Sequence, residues 1–265
     1  MKFIDPHIHM YSRTTDDYEK MILSGIETVI EPSFWLGQER TSIKTMQDYW
    51  DHIINFERKR AAEFGINHFC AISINPKEAN DSQLANDGLD LIEDYLIQDS
   101  VVALGEIGFD LVTKKEEDIF IKQLLISEKY KIPVIIHTPH VNKLAGTLKT
   151  IEIIENLGLD TSKIIIDHNN EDTIEVALST GAYCGLTVYP NTKLSPFRAV
   201  NIMKKFGLEK ILVNSSADWG QSDPLSVPKT SIEMRKNGFS ENEIEKVLYS
   251  NPNNFFKQSK NFKIN

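Results

Sequence analysis

The chain opens with Asp5-Pro6-His7-Ile8-His9, and two imidazoles separated by one residue are a chelating pair. In an extended segment, side chains two apart face the same way, so His7 and His9 can share one metal ion. Four more ligand-type residues recur downstream: Glu106, His137, His168 and Asp218. Glu106 sits inside an otherwise apolar run, where a carboxylate is costly to bury unless it is paired or metal-bound. That cost favours chemistry over packing. A nucleophile-based alternative has little support, because no G-x-S-x-G occurs and neither Cys70 nor Cys184 has a histidine partner evident in sequence.

Elements that could bring these residues together are legible as short apolar or β-branched runs. Eight strands are predicted, over 3–8, 28–33, 68–75, 101–110, 133–138, 164–169, 182–188 and 211–218. Between them lie segments with helical spacing, such as Met46, Trp50 and Ile53, or Ile151 and Ile154. Strand and helix alternate throughout, at intervals that predict a (β/α)8 TIM barrel occupying 1–265 as a single domain. A doubly wound sheet would carry a glycine-rich phosphate loop after an early strand, and the chain has none. In a barrel, catalytic groups come from the C-terminal strand ends. The six ligand-type residues all fall near such ends and converge on one mouth.

Composition narrows the partners. The 265 residues carry 29 Lys+Arg against 38 Asp+Glu, a net charge of −9, which disfavours attraction to a nucleic-acid backbone. Cys70 and Cys184 lie in apolar runs and read as buried small hydrophobes, so a reducing compartment is expected. No signal peptide and no spanning segment are evident, which predicts a cytoplasmic protein with no membrane role.

D-x-H-x-H, G-E-I-G-F-D, the His137-Thr138 pair, His168 and Asp218 occur in the order seen in TatD-type metal-dependent hydrolases of the amidohydrolase superfamily, which the chain resembles over nearly its whole length. Asn251 and Phe255–Phe256 resemble the terminal helix of that family. The resemblance implies a two-metal site: His7, His9 and Asp218 on one ion, His137 and His168 on the other, and Glu106 bridging. Such ligands suit zinc, taken as the default, as well as manganese, iron or nickel, and magnesium is a further option. The reaction implied is attack by a metal-activated water, with Asp218 as general base and then acid.

Three departures bear on the substrate. His137-Thr138-Pro139 stands where the family often has H-x-R, and an arginine fork is the better phosphate grip. Ser216-Ala217-Asp218 lacks the family's glutamate, and Asn169-Asn170-Glu171-Asp172 is an acidic run. These favour a small ester, lactone, amide or phosphoester over DNA. A TatD-type deoxyribonuclease is the alternative, and a non-catalytic metal-binding barrel is the third reading. Tyr11, Phe34, Trp35, Phe109, Tyr189 and Trp219 are candidate pocket aromatics; Trp219, Trp35 and His140 are the expected substrate contacts. Arg13, Arg40, Lys114, Lys193 and Arg198 read as scattered and solvated. Asp5 and Asp110 read as supporting carboxylates, while Asp167, beside His168, receives no role.

Overall fold

The computed structural model describes residues 1–264. Eight parallel strands pair in sequence order: β1 (Phe3–Asp5), β2 (Ile26–Pro32), β3 (Asn67–Ile72), β4 (Val101–Gly108), β5 (Val134–His137), β6 (Ile164–Ile166), β7 (Tyr183–Thr187) and β8 (Ile211–Asn214). Helices wrap them: α1 (Thr15–Leu23), α2 (Ile43–Asp51), α3 (Arg58–Glu63), α4 (Ser82–Leu96), α5 (Lys114–Tyr130), α6 (Lys143–Leu157), α7 (Ile174–Ser179), α8 (Pro196–Phe206) and α9 (Ser226–Lys236). Two short helices follow, α10 (Glu241–Glu245) and α11 (Asn251–Phe256). This is the expected TIM barrel, with its strands buried on both faces.

Most strands are shorter than their apolar runs, because several runs continue past the ladder into the loops of the mouth. β1 ends at Asp5 rather than residue 8, β6 at Ile166 rather than 169, and β8 at Asn214 rather than 218. His7, His9, His168 and Asp218 therefore all lie beyond their strands. The segment after β1 nonetheless stays extended, since Ile8 N donates to Ile30 O (3.1 Å) on one side and His9 N to Ala217 O (2.9 Å) on the other. Ser216 N donates to His7 O (2.8 Å), so the seam between the first and last strands is closed by loop backbone.

Inside the lower barrel, Ile4, Ile30, Val102, Ile135, Ile165 and Leu212 form an apolar cluster, plugged from below by Phe255, Phe256 and Phe262. Asn251 fixes the plug: its Nδ2 donates to Leu208 O (2.7 Å) and Ile211 O (2.8 Å) beside β8. A larger apolar layer packs the outer strand faces against the helices. Cys70 and Cys184 are both buried and free. Among the described residues no helix is long and apolar enough to cross a membrane.

Candidate metal centre at the barrel mouth

Glu106 projects from β4 and is the hub of the site. Its Oε1 lies 3.1 Å from His137 Nδ1, 3.1 Å from His168 Nε2 and 3.5 Å from His7 Nε2. His7 Nε2 and His9 Nε2 are 3.2 Å apart. Five of the six sequence-predicted ligands thus meet within one buried cluster. Asp218 stands across the same cavity, on the loop after β8, where its Oδ1 accepts from Tyr189 Oη (2.8 Å) and Gly220 N (2.8 Å). Its backbone carbonyl is held by the Arg13 guanidinium.

Asp167, to which sequence reasoning gave no role, turns inward and supports the cluster. Its Oδ2 accepts from His7 Nδ1 at 2.6 Å, and its Oδ1 accepts from His168 N (2.7 Å) and Asn214 Nδ2 (2.9 Å). Strand parity failed as a guide because β6 has already ended and His168 takes a left-handed φ of 60°. Room for the carboxylate comes from Gly185 on β7: a Cβ there would lie 1.9 Å from Asp167 Oδ1. Asp5, as expected, supports the site from below, its Oδ1 accepting from His7 N and Ser215 N at 3.2 Å each. Burial pushes the Asp5 carboxyl up to about 7.

The Nδ1 proton of His7 goes to Asp167, which leaves its Nε2 lone pair facing Glu106. On His168, Nδ1 lies 2.6 Å from Thr187 Oγ1, which can accept its proton and turn its own toward Asp167 Oδ1 at 3.4 Å; in that tautomer Nε2 has a lone pair for an ion. Burial opposes a charged Glu106, but the His7 and His137 imidazoles hold its carboxyl well below the usual range. Burial likewise opposes a charged Asp167, and the His168 and His7 rings beside it prevail and hold it low. Burial and the Lys193 ammonium keep His168 neutral, and burial with His7 does the same for His9. His7 goes the other way: burial is outweighed by Glu106 and Asp167, which raise it.

This donor set fits a divalent cation. Ligand atoms of His7, Glu106 and His168 all lie within 4.8 Å of one another, and these tautomers aim lone pairs at one carboxylate oxygen. His9 Nδ1 is buried without a hydrogen-bond partner, so that ring is not held by the protein at its far side. Its face is instead stacked on Phe34, centroids 4.0 Å apart.

The cavity above the cluster, about 610 Å³, is walled by Phe34, Trp35, Tyr189, His140, Lys193 and Asp218 among others. Trp35 and His140 therefore line it as expected. Trp219, the third expected contact, is not part of that lining; it is half exposed and leans on Phe34, ring centroids 5.1 Å apart. Two aromatics fall outside the mouth: Phe109 is buried against Phe120, and Tyr11 packs on Tyr49 and His52. The solvated reading of the basic residues also needs correction. Arg40 is buried against Glu78, Arg13 is folded under the Asp218 loop, and Lys193 sits half-buried in the cavity wall with Nζ 3.2 Å from His168 Nδ1. Lys143, unremarked in sequence, donates to His168 O (2.8 Å) and Thr138 Oγ1 (3.0 Å). Burial and Lys193 together lower it to about 7. The expected support by Asp110 goes to Lys77 (3.1 Å) rather than to a histidine.

Comparison with known proteins places this arrangement. The TatD related DNase family model matches residues 4–257. An uncharacterized metal-dependent hydrolase of Methanocaldococcus jannaschii is 31% identical over 256 residues, covering 96% of this chain and 99% of that one. A TatD-like protein from Archaeoglobus fulgidus has a similar structure, with TM-score 0.79 and 27% identity over 96% of this chain and 100% of that one. The phosphotriesterase homology protein of Escherichia coli, solved with phosphate in its active site, shares the fold at TM-score 0.70 and 18% identity, over 96% and 98% of the two chains.

Proposed function

Because the chain belongs to the TatD-related family of metal-dependent hydrolases, we propose that it cleaves an ester, lactone, amide or phosphoester bond of a small molecule, using one catalytic domain over residues 1–265 and two divalent ions. The observation that carries this reading is the convergence of three imidazoles on Glu106 Oε1. His7, His9 and Asp218 would hold one ion, His137 and His168 the other, with Glu106 between. Zinc is the default for this donor set, and manganese, iron, nickel and magnesium remain alternatives. Ions bound there supply a water ionised near neutral pH and an electrophile for the oxygen on which charge develops.

The chain's own residues then do the positioning and the proton transfer. Asp167 and Thr187 fix the tautomers of His7 and His168, which keeps both lone pairs on the ion side. Asp218 is held through Oδ1 by Tyr189 and Gly220, so Oδ2 is the oxygen that takes up a proton and hands it to the leaving group. Phe34 and Trp35 present apolar faces that pack a compact organic substrate and limit bulk water.

Metal analysis of protein purified without chelator should find two equivalents per chain; none, with the fold intact, would sink the reading. A panel of esters, lactones, amides and phosphoesters, run on the wild type and on Asp218→Asn, then identifies the bond. The family model's description supports a second reading, a deoxyribonuclease. Digestion of single-stranded DNA with magnesium or manganese, absent in Glu106→Ala, would establish it.

A further inference from the structure

On the β5–β7 side, the mouth opens into a smaller cavity of about 290 Å³, which shares His140, His168, Thr192 and Lys193 with the main one. Lys143 and Lys193 both line it, and among the described residues neither has a carboxylate within 4.0 Å. Other cations around the mouth are neutralised: Lys77 by Asp110, Arg40 by Glu78, Arg198 by Glu171. The carboxylates nearest Lys193 are committed elsewhere, Glu106 to imidazoles, Asp167 to His7 and Asn214, and Asp218 to Tyr189.

Lys193 is the freer of the two. Among the described residues it has no carboxylate partner: its contacts are His168 Nδ1 at 3.2 Å, a nitrogen already engaged by Thr187 Oγ1 at 2.6 Å, and a long one to Ser216 Oγ at 3.4 Å. Lys143, by contrast, spends its protons on His168 O and on Thr138. It lines the cavity with its Nζ committed to those oxygens. Two half-buried ammoniums side by side repel one another, and the cost is relieved by an anion between them and the solvent. Asp172, exposed at the outer rim, leaves the inner end cationic.

We propose that this side cavity is an oxyanion subsite, in which Lys193 contacts a carboxylate or phosphate carried by the substrate away from the scissile bond and Lys143 supplies supporting charge. It rests on the hydrolase reading for the word substrate, but its chemistry is independent of turnover. A substrate so held would be a small anionic ester, amide or lactone, oriented with its reactive carbonyl or phosphoryl over Glu106. The net charge of −9 is no obstacle, since recognition is set by the local field within a shielded cavity.

Calorimetric titration of the as-purified full chain with inorganic phosphate and with succinate, at low ionic strength, tests it. Affinity due to bound metal is common to all variants, so the difference between them reads the lysine. Lys193→Met should weaken binding of at least one anion by about tenfold or more, while Lys193→Arg retains it. Lys114→Met, at an exposed helix position, controls for overall charge. Preference for phosphate over succinate, or the reverse, distinguishes the two sources of the oxyanion. Equal affinities in the wild type, Lys193→Met and Lys114→Met overturn the proposal, as does a wild type that binds neither anion. If anions bind and depend on Lys193 but no ester, lactone, amide or phosphoester is cleaved, the hydrolase reading fails and the subsite stands.

Discussion

The two ends of the barrel interior are built from the same eight strands yet filled in opposite ways. At the N-terminal end Ile4, Ile30, Ile135, Ile165 and Leu212 meet the rings of Phe255, Phe256 and Phe262, and polar atoms are few. A few residues further along the strands, the same interior holds Asp5, Glu106, Asp167, Asn214 and three histidines, all buried. Apolar filling gains stability from area removed from water. The polar layer gains little of that, because each charge loses hydration and recovers it only from a partner. What the contrast teaches is a division of labour: the phenylalanine plug stabilises a fold whose other end concentrates groups that would otherwise oppose it.

Substitutions at the two ends should therefore separate activity from stability. Glu106→Gln is expected to have the largest effect, a loss of turnover on the order of 10⁴-fold, about 5.5 kcal/mol in barrier, with a melting temperature no lower than that of the metal-stripped wild type. A variant that melts early but still turns over would reverse the roles assigned to the two ends. Phe256→Ala should cost about 3–5 kcal/mol by urea denaturation and leave the specific activity of the folded fraction near wild type. Stripping the metal with a chelator should lower stability by about 2.7 kcal/mol, if the ion is present at a hundred times its dissociation constant. The same treatment should not lower the stability of Glu106→Ala, and an equal loss there would show that the ion binds elsewhere. Asp167→Asn should be the mildest, weakening metal affinity by about 10- to 100-fold. Gly185→Ala should reproduce it by displacing the same carboxylate, and an unaffected Gly185→Ala would remove Asp167 from the site.

Much of this was readable from residue type and order alone. Glu106, His137 and the His7–His9 pair stand where apolar runs make a polar residue expensive, and all four meet in the structure. Asp167, given no role, and Lys193, read as solvated, share one physical cause: they lie where the regular repeat of the strand has stopped. Asp167 follows the last residue of β6, and Lys193 lies in the loop after β7, close to Asn191 with its φ of 68°. Periodicity says nothing about direction in such segments. Phe109 misled in the opposite sense, because a ring just past β4 can turn outward into the helical layer against Phe120 as easily as into the mouth. The reading of Arg13 and Arg40 as solvated failed since long side chains can fold back over the loops that carry them.

The seam between His7–His9 and Ser216–Ala217 has a consequence for how the protein comes to life on the ribosome. The backbones that continue the first and the last strand meet there, through Ser216 N on His7 O and His9 N on Ala217 O. A nascent chain that has emerged as far as β7 carries His7, Glu106, His137 and His168, with Ile8 N on Ile30 O holding one side of the His7 segment, but it lacks Asp218 and the bonds that close the other side. The hydrolytic apparatus is thus assembled at the end of synthesis, and an incompletely translated or prematurely terminated product is born without it.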